Sequence, residues 1–171
     1  MPADRSEDYA ADAIPSLARR TVETFIATGA IIDPPAGVSD LLDARAGCFV
    51  SIKTLDGDLR GCIGTIDPEQ DTLAEEIVAN AIAAATRDPR FSPVHAGELS
   101  NLKYSVDVLS APEPCTLADL DPEIFGVIVE DEAGGQEARS GIPRARRGRC
   151  DGDAVIVQMH RDGDARAWRR S

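Results

Sequence analysis

Three features of the sequence predict a fold that mixes helices with strands. Two segments, residues 14–28 and the run that follows Thr72, carry apolar residues at helical spacing. Four others alternate or cluster apolar residues as strands do, and two of these are joined by Asp56-Gly57, a hairpin signal. Proline- and glycine-rich turns separate the runs.

In chain order, residues 14–28 place Leu17, Thr21, Val22, Phe25 and Ile26 on one stripe, with Pro15 in the first turn and Gly29 at the end. The turn-rich stretch 33–37 follows. Residues 48–54 and 59–66 then read as the two arms of the hairpin. Thr72 opens a second helix, with Glu75 completing a capping box and Leu73, Ile77, Ala81 and Ala84 or Ala85 forming its buried stripe. Its alanine-rich face implies close approach to a neighbour. The sequence "DPRFSP" at 88–93 ends it, because proline cannot continue a helix. Residues 103–109 set Tyr104, Val106 and Val108 against Ser105 and Asp107, a half-buried strand, and "FGVIVE" at 125–130 reads as a buried one.

At 171 residues and 18.2 kDa the chain fits one domain able to bury a core without disulfide or metal staples. The acidic start lacks the apolar core of a signal peptide and no window is long enough to span a bilayer, so a cytoplasmic protein is expected. Net charge is −12, unevenly spread. From Gly134 onward nine arginines oppose five acids, +4, while residues 1–133 hold nine bases and twenty-five acids, −16. Such a body repels phosphate backbones, which argues against a nucleic-acid partner. Cys48, Cys62, Cys115 and Cys150 form no C-x-x-C pair, and His95 and His160 stand in no ligand motif, so neither a metal nor a cofactor is called for.

The segment "LRGCIG", residues 59–64, sets one thiol between two glycines inside a strand. A two-residue turn at Asp56-Gly57 places Lys53 opposite Arg60 and Ser51 opposite Cys62, so the thiol stands near two cations that favour a thiolate. Gly61 and Gly64 leave room for a ligand or another backbone. Against this, an unpaired strand cysteine commonly serves as a small buried hydrophobe. No obvious base accompanies Cys62. His95 is the candidate, as a partner or as an ordinary surface residue. Two roles are open for Arg90: pairing with Asp88 to fix the turn, or binding an anion. Glu98 reads as a turn or capping carboxylate, and Cys48 and Cys115 as filler.

Taken together and in order, "LRGCIGTI", a helix, "RDPRFSPV", "GELSNLKYSVDVLSAPEP" and "FGVIVE" resemble the AMMECR family, whose prokaryotic members are called AmmeMemoRadiSam system protein A. The match covers about residues 8–133, after an N-terminal extension at 1–7. The resemblance implies an α+β domain, a mixed or antiparallel sheet flanked by helices, with a larger and a smaller lobe around a cleft lined by the LRGCIG strand. Carried over by position, Arg60, Gly61, Cys62, Ile63 and Gly64 match the core motif, and Asp88, Arg90, Phe91 and Glu98 match two further ones. The family has no established biochemical activity. Its members are associated with a Memo-like protein and a radical SAM protein, which implies a shared pathway. On these grounds Cys62 is the candidate nucleophile or redox thiol, and Arg60, Gly61, Gly64, Arg90 and Glu98 are candidate ligand-binding residues for a small anionic or peptide-like ligand. The alternative is a non-catalytic scaffold for those partners.

From Gly134 the sequence departs from the family, which continues with a segment like RRGLLLPDLEGVDTVEEQ, a helix and a last strand. Read one base downstream, codons for residues 136–154 permit KRRGLVFPELEGVDATVMQ, which points to a frameshift near Gly134 or Gly135. Residues 134–171 are accordingly expected to be a non-homologous, basic tail without regular structure, apart from the strand-like period at 154–159.

Overall fold

The computed structural model describes residues 5–34 and 36–110, with the strands at 113–114, 125–130, 136–139 and 154–161. Helix α1 (Arg5–Thr28) starts well before the apolar pattern does, so Pro15 lies inside it rather than in its first turn. Its buried face carries Ile14, Leu17, Ala18, Thr21 and Val22. Thr21 tolerates burial because its hydroxyl donates to the Leu17 carbonyl one turn back, at 2.8 Å. Gly29 closes the helix with φ near +75° and an N–H bonded to the Phe25 carbonyl at 2.8 Å. A short helix, α2 (Asp40–Asp43), is capped by Ser39, whose hydroxyl accepts from the Leu42 N–H.

Strands β1 (Cys48–Thr54), β2 (Leu59–Thr65) and β3 (Leu102–Leu109) form an antiparallel array with β1 in the middle. Period-2 alternation turns Cys48, Val50 and Ile52 inward, all at 0% exposure, beside Val106 and Val108. Helices α1 and α3 (Leu73–Thr86) cover this face. Each fully buried Val or Ile is worth about 1.5–3 kcal/mol of transfer free energy. The other face carries Phe49 and Ser51 from β1 and Cys62 and Gly64 from β2, paired Phe49 to Gly64 and Ser51 to Cys62.

The turn at Asp56-Gly57 forms as the sequence predicts, with Gly57 at φ +102° and its N–H on the Thr54 carbonyl. The register differs by one residue, however. Thr54 N–H bonds the Asp58 carbonyl, and the ladder slips between Ile52 and Lys53, so Lys53 faces Leu59 and not Arg60. Arg60 is the extra residue of a bulge, which re-aims its side chain.

Helix α3 begins with the predicted capping box: Glu75 N–H donates to the Thr72 hydroxyl and Thr72 N–H to the Glu75 carboxylate. Its inner face also buries two polar residues, Glu76 and Asn80. Glu76 accepts from the Thr65 hydroxyl and from the backbone N–H groups of Glu69 and Gln70, both at 2.8 Å. The Asn80 amide donates to the Cys48 carbonyl at 3.2 Å and to Thr65 Oγ1 at 3.1 Å. This network ties the connection after β2 to the helix, and its satisfied groups make the burial tolerable. A 3₁₀ helix (Ala96–Asn101) leads into β3.

Two compact units divide the chain: Met1–Val108 with Arg161–Ser171, and Leu109–His160. In the second, β5 (Phe125–Glu130) pairs antiparallel with β6 (Gln136–Arg139) and with β7 (Ala154–Arg161), which also pairs with β4 (Glu113–Pro114). β5 is the predicted "FGVIVE" strand and β7 spans the strand-like run at 154–159, whereas β6 falls in a stretch after Gly134 where the sequence predicts no regular structure. Cys115 and Cys150 lie outside the described residues. The architecture is α+β. No helix among the described residues is long and apolar enough to cross a membrane.

Candidate functional site

The chemistry-bearing residues gather along β2 and the turn that follows α3. Ser51 and Cys62 face each other across the β1–β2 ladder, and the Cys62 backbone N–H and C=O are both bonded outside that ladder. Such a pair brings its side chains closest. The Ser51 hydroxyl donates to Cys62 Sγ at 3.2 Å.

What the outer edge of β2 bonds to is a pair of side chains. Asp88 Oδ2 accepts from the Cys62 N–H at 2.8 Å, and Arg90 Nη2 donates to the Cys62 carbonyl at 3.2 Å. The two side chains thus offer Cys62 the acceptor and donor that a neighbouring strand would offer. They are locked to each other as well. Asp88 Oδ2 accepts from Arg90 Nη2 at 2.8 Å, while Oδ1 accepts from Arg90 Nε at 2.9 Å and the Arg90 N–H at 3.0 Å. The Asp88 side chain is 2% exposed and that of Arg90 55%. The Arg90 bonds hold the Asp88 carboxyl well below the usual carboxylate range, against its burial and with the Cys62 N–H adding to the effect. Arg90 is raised in turn, chiefly by its bond to Asp88 and against its own desolvation. The Phe91 ring, with its centroid 5.6 Å from Arg90 Cζ, flanks the same group.

Arg60 and Glu98 meet elsewhere on the strand. Arg60 Nε and Nη2 form a fork with the Glu98 carboxylate at 2.7 and 3.0 Å, and the remaining bonds go to the carbonyls of Ser92 at 2.9 Å and Pro93 at 3.3 Å. Glu98 also accepts from the His95 N–H at 2.9 Å, and Arg60 before all else lowers its proton affinity. This cluster pins the 92–98 loop to β2. His95 contributes a backbone bond there, and its side chain, which is exposed, makes no hydrogen bond to Cys62 among the described residues.

The two glycines of the motif serve opposite faces. A Cβ on Gly61 would sit 2.2 Å from the Ala84 carbonyl oxygen, so α3 lies directly against the strand, the close approach that its alanine-rich face implies. A Cβ on Gly64 would fall within 2.3 Å of the Phe49 ring, which fills that space beside Cys62. Cys48, by contrast, is wholly buried, and burial pushes its thiol up to about 12. Of the sequence-derived candidates, then, Cys62 and Arg90 come together, and Arg60 joins Glu98. Ser51 was placed opposite Cys62 by register, but its hydrogen bond could not be read from sequence. Asp88 matched a motif, yet its bond to the Cys62 N–H spans 26 positions that no periodicity links. Glu76 and Asn80 did carry a signal, because they fall on the buried stripe of α3 in step with Leu73, Ile77 and Ala84.

An α+β domain with one half-exposed thiol held at a strand edge is the class that fold and site define. The pattern of the AMMECR1 family matches residues 15–143, and the chain belongs to that family. A Thermotoga maritima protein is 49% identical over 112 residues, covering 64% of each chain. A Clostridium acetobutylicum protein is 48% identical over 115 residues, 66% of this chain and 24% of that one. The chain therefore spans less than two-thirds of either relative. The crystal structure of an uncharacterized protein from Pyrococcus horikoshii superposes with a TM-score of 0.73 at 26% identity, covering 90% of this chain and 89% of the other.

Proposed function

We propose that this is a cytoplasmic protein that binds a small anionic or peptide-like ligand on the sheet face at Cys62, with Cys62 acting as a thiol nucleophile or redox group. The observation that carries the reading is the environment of Cys62: its half-buried sulfur accepts from Ser51, and its carbonyl accepts from the Arg90 guanidinium. Cysteines used as nucleophiles sit in partly exposed surroundings of this kind, with a cationic side chain nearby. Arg90 meets the ligand, while Arg60, Glu98, Gly61 and Gly64 build the strand and loop that present the thiol. The pathway is one shared with Memo-like and radical SAM proteins, as the family resemblance implies.

The test is site-resolved alkylation. Iodoacetamide is added to the native protein and to the urea-unfolded chain at one pH, and modification of the Cys62 peptide is followed by mass spectrometry. Faster reaction at Cys62 in the native protein, slowed in Ser51→Ala, supports the reading. A native rate no faster than in the unfolded chain overturns it, and the non-catalytic scaffold for those partners takes its place.

A further inference from the structure

Between the end of β2 and the start of α3, residues 67–71 ("DPEQD") close over a buried polar cluster. None of the five is buried, so no apolar anchor holds the segment to the core. Its hydrogen bonds to the rest of the chain come from two side chains, one on the inner side and one on the solvent side. The inner one is Glu76, 1% exposed, whose Oε2 accepts from both the Glu69 and the Gln70 N–H at 2.8 Å. The outer one is the exposed Arg45, which donates to the Pro68 carbonyl from Nη2 at 2.6 Å and to the Gln70 carbonyl from Nε at 3.2 Å. Among the described residues no other hydrogen bond reaches the segment.

The flanks are anchored where the segment itself is not. Thr65 pairs with Cys48 in the ladder and gives its hydroxyl to Glu76. On the other side Thr72 is the N-cap of α3, closed by its bonds with Glu75, and the Leu73 N–H reaches the Ala44 carbonyl at 2.7 Å. Two fixed ends joined by five residues without apolar burial make a hinged flap, and Pro68 stiffens it between the hinges. Three of the five are acids, Asp67, Glu69 and Asp71, of the same sign as the carboxylate that holds them, so charge opposes closure. Beneath the flap lie the Glu76 carboxylate, the Thr65 hydroxyl and the Asn80 amide, which donates to Thr65 Oγ1 at 3.1 Å.

We propose that residues 67–71 are a lid that opens on its own, without unfolding of the domain, and admits solvent to Glu76 and Thr65 at the end of the strand that carries Cys62. Closed, the lid's own N–H groups satisfy the buried carboxylate. Open, water takes their place while the β1–β2–β3 ladder and α3 stay intact. The lid thereby decides whether this carboxylate–hydroxyl pair is sealed or wet. Its opening makes no use of the Cys62 sulfur, so it stands or falls separately from the thiol reading.

The experiment is amide hydrogen exchange of the full chain, followed residue by residue by NMR at urea concentrations below the unfolding transition. Glu69 and Gln70 are expected to exchange at rates that do not change with urea, the mark of an opening that exposes little surface. Val50 and Ile52 of the central strand, both at 0% exposure, speed up with urea as global unfolding does. Arg45→Ala removes the two outer bonds from an exposed position and is expected to speed the Glu69 and Gln70 amides about fivefold, with no equal change at Val50 and Ile52. Carbodiimide with glycine ethyl ester, at low dose and read by mass spectrometry, then labels Glu76 in the folded protein, and more so in Arg45→Ala. Urea slopes for Glu69 and Gln70 as steep as those of Val50 and Ile52 overturn the lid. So does an Arg45→Ala protein in which the four amides change together or not at all. A Glu76 that is labelled only above the unfolding transition overturns the solvent access proposed for the cluster.

Discussion

Replacing Asp88 with asparagine tests the strap at Cys62 most directly. Each carboxylate oxygen accepts two bonds, Oδ1 from the Arg90 N–H and Nε, Oδ2 from the Cys62 N–H and Arg90 Nη2. An amide keeps one oxygen and sets an NH₂ group against the other two donors. The cheaper orientation preserves the acceptor for Cys62, because Arg90 is exposed enough for water to solvate its freed N–H groups. Hydrogen bonds to a charged partner are worth about 1.5–3 kcal/mol, discounted here for that exposure, which gives a loss of about 1–2 kcal/mol. For a chain of this size, that is a fall in Tm of about 2–8 °C. Asp88→Ala, which strands the Cys62 N–H as well, costs about 1–3 kcal/mol more. Urea unfolding at neutral pH reads both. The pH dependence gives a second reading. The native Asp88 value is depressed below the unfolded one, about 3.9, so its contribution is complete at neutral pH and is lost as pH falls from the unfolded value toward the native one. The gap between wild type and Asp88→Asn therefore narrows on acidification below about pH 4. A variant as stable as wild type at pH 7, or a gap that stays constant into acid, refutes the reasoning.

Gly61→Ala forces a methyl group to within 2.2 Å of the Ala84 carbonyl and is expected to cost about 1–3 kcal/mol in urea unfolding; an unchanged midpoint would mean that α3 does not lie against β2. The buried Tyr104 hydroxyl has no hydrogen-bond partner among the described residues, so Tyr104→Phe is expected to be neutral or stabilising by up to about 1 kcal/mol, and a loss of stability would reveal a partner. Cys48, buried and pushed up to about 12, stays unmodified by iodoacetamide at pH 8 while the protein is folded, and labelling there before unfolding contradicts its placement. Arg60→Lys gives up the fork to Glu98 and the carbonyl bonds, so amide exchange is expected to quicken across residues 92–98 and to remain unchanged in α3.

Where the fold was legible, the signals were local. The Thr72–Glu75 capping box, the Asp56-Gly57 turn and the alternation of Val106 and Val108 each depend on residues a few positions apart, and each appears in place. The start of α1 was misplaced because the residues before Ile14 show no apolar stripe, yet the helix runs back to Arg5. The hairpin register slipped because a bulge at Arg60 leaves no trace in alternation, and this moved the expected cation at the thiol from Lys53 and Arg60 to Arg90. Contacts of that kind join residues 28 positions apart through the geometry of a turn, and a single sequence holds no period that reports them. The family motifs did bring Arg60, Cys62, Asp88, Arg90 and Glu98 to notice, without showing how they pair.

The pairing of Asp88 and Arg90 with the Cys62 backbone has a consequence for the behaviour of many copies together. A bare rung on an outer strand is a template onto which another chain can add. In this protein the rung at Cys62 is closed by two side chains from a turn, and side chains can let go without the domain unfolding. Releasing that pair at high protein concentration therefore favours strand-to-strand association at β2 over loss of the fold.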